Sequence, residues 1–233
     1  MNVVVLDDKI EIVNFVGEIL NDIGVEKEKI FMFTDVNELE KKSVFRNIDI
    51  LFIDIKLDKI NGIDYVKKNK KIFKNTKIIY ITAFDDYIED TFETDFVYFL
   101  KKPLTSEKIK KAYEKSLSII NEENKYLVVI NQKGMRKIYI NDIYYIESEG
   151  RLINFHLKKD YISTYKKLSE VEEELGNFFI KCHKSYLVNI KKIENYSLAR
   201  VTLDNGITIP ISRSNQKKCK QIVFKYLNGE EDE

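Results

Sequence analysis

The stretch LFIDIKLDKINGID, Leu51 to Asp64, decides the reading of the N-terminal half. Its apolar run has the texture of a buried strand and stops at Asp54. A charged turn and Gly62 follow. A carboxylate left unpaired at the end of a core strand is costly, so Asp54 calls for partners and for a reason to be there. Outward from it, short apolar runs recur as NVVVLDD, KIFMFTD, KIIYITAF and FVYFLKKP. Between them lie amphipathic stretches such as KIEIVNFVGEILNDIG and YVKKNKKIF, with apolar residues at helical spacing. TSEKIKKAYEKSLSIINEEN, with Ile109, Ala112, Leu117 and Ile120 on one side, predicts a last helix. Strands alternating with helices predict a parallel sheet covered on both faces, the flavodoxin-like doubly wound α/β fold with strand order 2-1-3-4-5.

In such a sheet ligands bind beyond the carboxyl ends of the strands, where the strand order reverses. The first and third strands end there with Asp7-Asp8 and Asp54, the fourth with Thr82 and the fifth with Lys102. Converging carboxylates suit a hard cation, Mg²⁺. Acids for a metal, one central Asp, a hydroxyl and an ammonium together predict phosphoryl transfer onto Asp54. Taken singly, a strand-end Asp is usually a turn residue. Their occurrence in order on successive strands is the informative signal.

These residues resemble the receiver domain of two-component response regulators. The resemblance rests on Asp7-Asp8, on Asp54 followed eight residues later by Gly62, on Thr82-Ala83 and on Lys102-Pro103, and it covers residues 1–121. It implies that Asp54 accepts phosphate from a sensor histidine kinase. It implies further that Asp7, Asp8 and Asp54 hold Mg²⁺ with the backbone carbonyl of Lys56, and that Thr82 and Lys102 grip the phosphoryl group. Thr82 and Phe99 fall at the switch positions of the family. Asp58 stands where Pro is more usual.

The second half differs in texture and charge. Residues 1–124 carry 20 Lys and Arg against 24 Asp and Glu; residues 125–233 carry 19 against 14, four of these in the last five residues. The chain from 127 to 228 is dense in Ile, Tyr and Val, with hairpin signals at LKKDY and LDNGITI, and predicts a mostly β domain. Residues 122–126 read as a short polar linker and 229–233 as an acidic tail without structure. A single helix is expected near Lys166–Leu175, and its Glu170, Glu172, Glu173 and Glu174 would be repelled by phosphates. With no helix-turn-helix, a basic β domain points to double-stranded DNA read by loops.

This half resembles the LytTR-type DNA-binding domain, on DIYYIES (142–148), FFIKCHKSYLVNIKKI (178–193) and NGITIPISRS (205–214). The resemblance implies a fold that inserts loop residues into successive major grooves of paired repeats. By position, Lys184, Arg213 and Arg151 are the base-reading candidates; Arg213 is preferred because Arg takes guanine bidentately. Lys181, Lys217 and Lys218 are the phosphate-contact candidates. His183, beside Cys182, and His156 read as hydrogen-bonded structural histidines rather than metal ligands.

The longest stretch free of charge, Asn205–Ser212, is far shorter than the ~18 residues a membrane span needs. MNVVVLDDK offers no secretory signal, and the two cysteines form no C-x-x-C, so a cytoplasmic protein with reduced thiols is expected. The whole predicts a phosphorylation-dependent transcriptional regulator, pairing as a homodimer on phosphorylation or on DNA, and not an enzyme beyond slow self-dephosphorylation. Two other readings stand beside it. One is an Asp-nucleophile phosphatase, which would place D-x-D-x-T after the first strand, where this chain instead has Asp54-Ile55-Lys56 after the third. The other is an interaction protein whose receiver-like half takes no phosphate.

Overall fold

The computed structural model describes residues 1–58, 60–83 and 94–227. The chain forms two compact units that divide between Asn121 and Glu122. Phe84, at the end of the KIIYITAF run, and the acidic tail lie outside the described residues.

The first unit is built on a parallel sheet of β1 (Val3–Leu6), β2 (Ile30–Phe33), β3 (Ile50–Asp54), β6 (Lys77–Thr82) and β7 (Phe96–Lys101). A two-residue pair, β4 (Lys56–Leu57) with β5 (Ile60–Asn61), sits between β3 and the next helix. The order across the sheet is β2-β1-β3-β6-β7, the doubly wound order expected. Helices α1 (Ile10–Asp22), α2 (Val36–Glu40), α3 (Gly62–Lys68) and α4 (Ser106–Glu123) accompany it.

Alternate residues of the central strands enter opposite cores. Val4, Leu6, Leu51, Ile53 and Tyr80 pack with Leu39 of α2 and Ile63 and Val66 of α3. Val3, Val5, Ile50, Phe52, Ile79 and Ile81 pack with Val13, Val16 and Leu20 of α1 and Ile109 and Ala112 of α4. A sheet buried on both faces has no polar positions to spare, which is why these strands read as unbroken apolar runs. α3 begins earlier than the spacing of YVKKNKKIF suggests: Asn61 accepts hydrogen bonds from the amides of Ile63 and Asp64 and caps the helix before Gly62.

The second unit holds an antiparallel sheet ordered β12-β11-β10-β14-β13. Its strands are β10 (Tyr145–Glu149), β11 (Leu152–His156), β12 (Tyr161–Tyr165), β13 (Phe179–His183) and β14 (Tyr186–Asn189). The hairpin β8 (Tyr126–Asn131) with β9 (Gly134–Tyr139) packs its Leu127, Val129 and Ile138 against one core, which α5 (Leu168–Leu175) shares through Leu168, Val171 and Leu175. A three-stranded sheet of β15 (Ile193–Tyr196), β16 (Arg200–Leu203) and β17 (Thr208–Pro210) closes a second core.

One expectation is corrected. The half has a second helix, α6 (Gln216–Leu227), which buries Cys219 and Val223 in that core. Of residues 122–126, expected as linker, Glu122 and Glu123 finish α4 and Tyr126 opens β8. No helix among the described residues is long and apolar enough to cross a membrane.

Candidate functional site

Asp54 closes β3, and the neighbouring strands bring its partners to the same edge. β1 lies beside β3 and runs into Asp7 and Asp8; β6 lies on the other side and ends at Thr82. β7 follows, and the Lys102 amide donates to the Thr82 carbonyl at 2.7 Å. The Lys102 Nζ donates to Asp7 Oδ2 and to Asp54 Oδ2, both at 2.7 Å. Asp7, Asp54 and Thr82 are all buried. The other oxygens of the two carboxylates are held by backbone: Lys9 N–H donates to Asp7 Oδ1 at 3.0 Å, and Lys56 N–H to Asp54 Oδ1 at 3.2 Å.

Gly62 is part of this geometry. Its amide donates to the Ile55 carbonyl at 2.8 Å, and a Cβ built there would lie 2.2 Å from the carbonyl oxygen of Asp54. The start of α3 presses so closely on the backbone of the central Asp that only glycine fits.

The electrostatics follow from burial opposed by pairing. Burial strips water from Asp7 and raises its pKa above the ordinary carboxylate value; the hydrogen bonds from Lys102 and the Lys9 amide offset this only in part. Burial also works against the Lys102 ammonium, but its hydrogen bonds to Asp54 and Asp7 outweigh that, and its pKa is raised. The pair of carboxylates and the ammonium stabilise one another in a partly dry site where charge–charge terms are large.

Exposed Asp8 completes an acidic group. One ligand oxygen from each of Asp7, Asp8 and Asp54 lies within 4.8 Å of the others. An all-oxygen donor set of this spacing suits Mg²⁺, whose ligands stand at about 2.0–2.1 Å from the ion. Three carboxylates against one ammonium leave negative charge for such a cation to offset. The Lys56 backbone adjoins Asp54 directly through the amide contact above. Phe99 lies on β7, partly buried against the core that contains Tyr80.

In the second unit the structure brings most of the expected DNA-contacting residues to adjoining turns. Gly150-Arg151 forms the turn from β10 to β11, with Gly150 at φ 63°, the left-handed region. Lys184 is exposed in the turn from β13 to β14. The end of β10 meets the β13–β14 turn where the Ser148 amide donates to the Ser185 carbonyl at 2.8 Å. The segment before Arg213 is tied to the same place by Ser212 N–H donating to the Cys182 carbonyl at 2.9 Å. Exposed Lys217 and Lys218 occupy the first turn of α6, which Cys219 fastens to β13 through its Sγ contact with the Lys181 carbonyl. Lys181 stands apart from the set: its ammonium is paired with Glu172 on α5.

Both histidines are hydrogen-bonded. His183 Nδ1 accepts from the Ser185 amide at 3.3 Å, and His156 Nε2 contacts Glu147 Oε2 at 3.1 Å. Glu147 and Tyr186, which meet at 2.7 Å, were not singled out by the sequence. The alternation around Ile146 placed Glu147 off the apolar face, but nothing in the chain marks which strand lies opposite it.

Comparison with known proteins follows the same division. The family model of the response regulator receiver domain matches residues 3–114, and that of the LytTr DNA-binding domain matches residues 133–223. The sensory transduction protein LytT of Oceanobacillus iheyensis is 32% identical over 190 residues, covering 73% of this chain and 76% of that protein. LytT of Enterococcus faecalis is 27% identical over 203 residues, with 80% and 84% covered. The transcriptional regulatory protein LytR of Staphylococcus aureus is 26% identical over 242 residues, with 94% and 98% covered.

Proposed function

Because the chain belongs to the response regulators that join a receiver domain to a LytTR DNA-binding domain, we propose that phosphorylation of Asp54 by a sensor histidine kinase controls its sequence-specific binding to promoter DNA. The observation that carries the reading is the partly buried ammonium of Lys102 bridging Asp7 and Asp54 at 2.7 Å each. An Asp54 carboxylate oxygen forms the new bond to phosphorus as the bond from phosphorus to the donor imidazole nitrogen breaks. The Lys102 ammonium, raised in pKa and therefore fully charged at neutral pH, turns from the carboxylates to the incoming phosphoryl oxygens. Thr82, beside Lys102 at the same edge, supplies a hydroxyl to them. Asp7, Asp8 and Asp54, with the Lys56 carbonyl, would hold Mg²⁺, which would supply positive charge to the transferring group. This is positioning and charge stabilisation on a protein that is itself the substrate, so the chain is not an enzyme in the substrate-processing sense.

In the output half Arg213, Lys184 and Arg151 read base edges, while Lys217 and Lys218 hold phosphates. The ion pair with Glu172 reduces what Lys181 offers to DNA. A cytoplasmic protein that pairs on phosphorylation, or on adjacent DNA repeats, fits this arrangement. Intact mass after acetyl phosphate and Mg²⁺ tests the first half. A phosphoryl adduct is expected on the wild type and none on Asp54→Asn; an unmodified wild type overturns it. A salt-sensitive shift of duplex DNA tests the second.

A further inference from the structure

Glu147 is a carboxylate on the sheet whose turns carry Arg151 and Lys184, where negative charge opposes phosphate binding. Its contacts explain why it is there. It lies in β10, the middle strand, directly opposite Asn154 of β11 on one side and Tyr186 of β14 on the other. Its Oε1 accepts from the Tyr186 hydroxyl at 2.7 Å, and its Oε2 meets His156 Nε2 of β11 at 3.1 Å. One side chain therefore spans three strands. Both ends of the span matter. Glu147 stands three residues before Gly150 of the β10–β11 turn, and Tyr186 two residues after Lys184 of the β13–β14 turn.

The surroundings hold the network in place. His156 stacks on Tyr145 with ring centroids 4.1 Å apart and planes 9° apart. Tyr186 leans on Tyr145 and on His183. The hydrogen bond to Glu147, then burial and nearby negative charge, push the Tyr186 phenol up to about 12, so it stays a donor at physiological pH. Burial lowers the pKa of His156 despite the carboxylate, which leaves a neutral ring whose Nε2–H donates to Glu147.

We propose that Glu147 is a positioning residue for DNA reading: by accepting from Tyr186 and His156 it fixes the β10–β11 and β13–β14 turns, and so Arg151 and Lys184, in one register. The carboxylate acts through those turns and does not itself touch a base. This rests on the DNA-binding reading of the second unit.

The test uses the full chain and two probes: a duplex selected from a random pool by the wild type, and an unselected duplex of equal length. Affinities are measured across a salt series. Glu147→Ala is expected to weaken binding to the selected duplex roughly tenfold, as loss of two hydrogen bonds would. Its binding to the unselected duplex should not weaken, because no phosphate contact is lost and one opposing charge is removed. Glu147→Gln keeps an acceptor for Tyr186 and should restore most of the discrimination. Tyr186→Phe, which removes only the hydroxyl, should move in the same direction as Glu147→Ala and carries the test if that variant fails to fold. If Glu147→Ala and Glu147→Gln both tighten binding to both duplexes, Glu147 is a repulsive charge and the proposal is overturned. Unchanged discrimination in Glu147→Ala or Tyr186→Phe overturns it as well. A wild type that selects no preferred duplex would instead sink the DNA-binding reading on which the proposal rests.

Discussion

At the residue scale the phosphoacceptor edge is organised by close approach as much as by charge. Gly62 shows this most directly, since a methyl group there would overlap the Asp54 carbonyl oxygen at 2.2 Å and crowd its carbonyl carbon at 3.1 Å. Both atoms are backbone, so the start of α3 or the end of β3 must move. Gly62→Ala is expected to destabilise the first unit by about 1–3 kcal/mol, the usual cost of overpacking. It should also slow phosphoryl incorporation, because the displaced backbone carries Asp54. Thermal unfolding and a mass time course with acetyl phosphate measure the two effects separately. A second residue-scale prediction concerns His156, whose pKa is lowered by burial. A histidine that binds protons less readily folded than unfolded costs stability as pH falls through 6.5 toward its lower folded value. Hydrogen-exchange protection factors of β10 and β11 amides, corrected for the intrinsic exchange rate at each pH, should therefore fall on acidification in that window. His156→Phe should flatten the dependence.

At the element scale, the legible parts of the chain are those whose burial is two-sided or whose turns are chemically marked. The strands of the first unit fill both cores with consecutive apolar residues, so their existence and carboxyl-end residues follow from the pattern. The hairpin at Asn205-Gly206 follows from its turn residues, with Gly206 at φ 83°. Helix α6 was not legible for a physical reason. From Gln216 to Lys225 only Cys219, Ile222, Val223 and the exposed Phe224 are apolar, among four lysines. Its hold comes from packing on β13 and the core of the three-stranded sheet, which no local pattern announces. The Glu147 network was hidden for a related reason: it joins residues 9 and 39 positions apart through a strand order the sequence does not state.

The placement of α6 separates two kinds of mutation. Lys217 and Lys218 are exposed on its first turn, so replacing either with Ala should weaken binding to all duplexes alike and reduce the salt slope by about one. Arg213 sits in the turn that leads into the helix. Arg213→Ala should cost about 1–3 kcal/mol on the selected duplex and relax preference at one position. Titrations against single-base variants of that duplex distinguish the two patterns.

At the scale of the whole molecule, the chain joins an acidic receiver unit to a basic DNA-binding one, and on the proposed reading phosphorylation couples them by a shift in population. On the proposed reading, phosphorylation of Asp54 would place new negative charge among Asp7, Asp8 and Lys102, within the first unit. A ligand or modification can favour one state only by the difference in free energy it makes between states. The simplest such difference is protomer pairing: two linked DNA-binding units engage adjacent repeats with the effective concentration of a tether. This predicts that phosphorylation leaves affinity for a duplex bearing one repeat nearly unchanged and tightens binding to a duplex bearing two. Sedimentation of the acetyl phosphate-treated chain should show a concentration-dependent dimer that Asp54→Asn does not form. Equal tightening on one repeat and on two, with no dimer, would mean that the phosphoryl group acts within a single chain, by releasing the DNA-binding unit from an inhibited state.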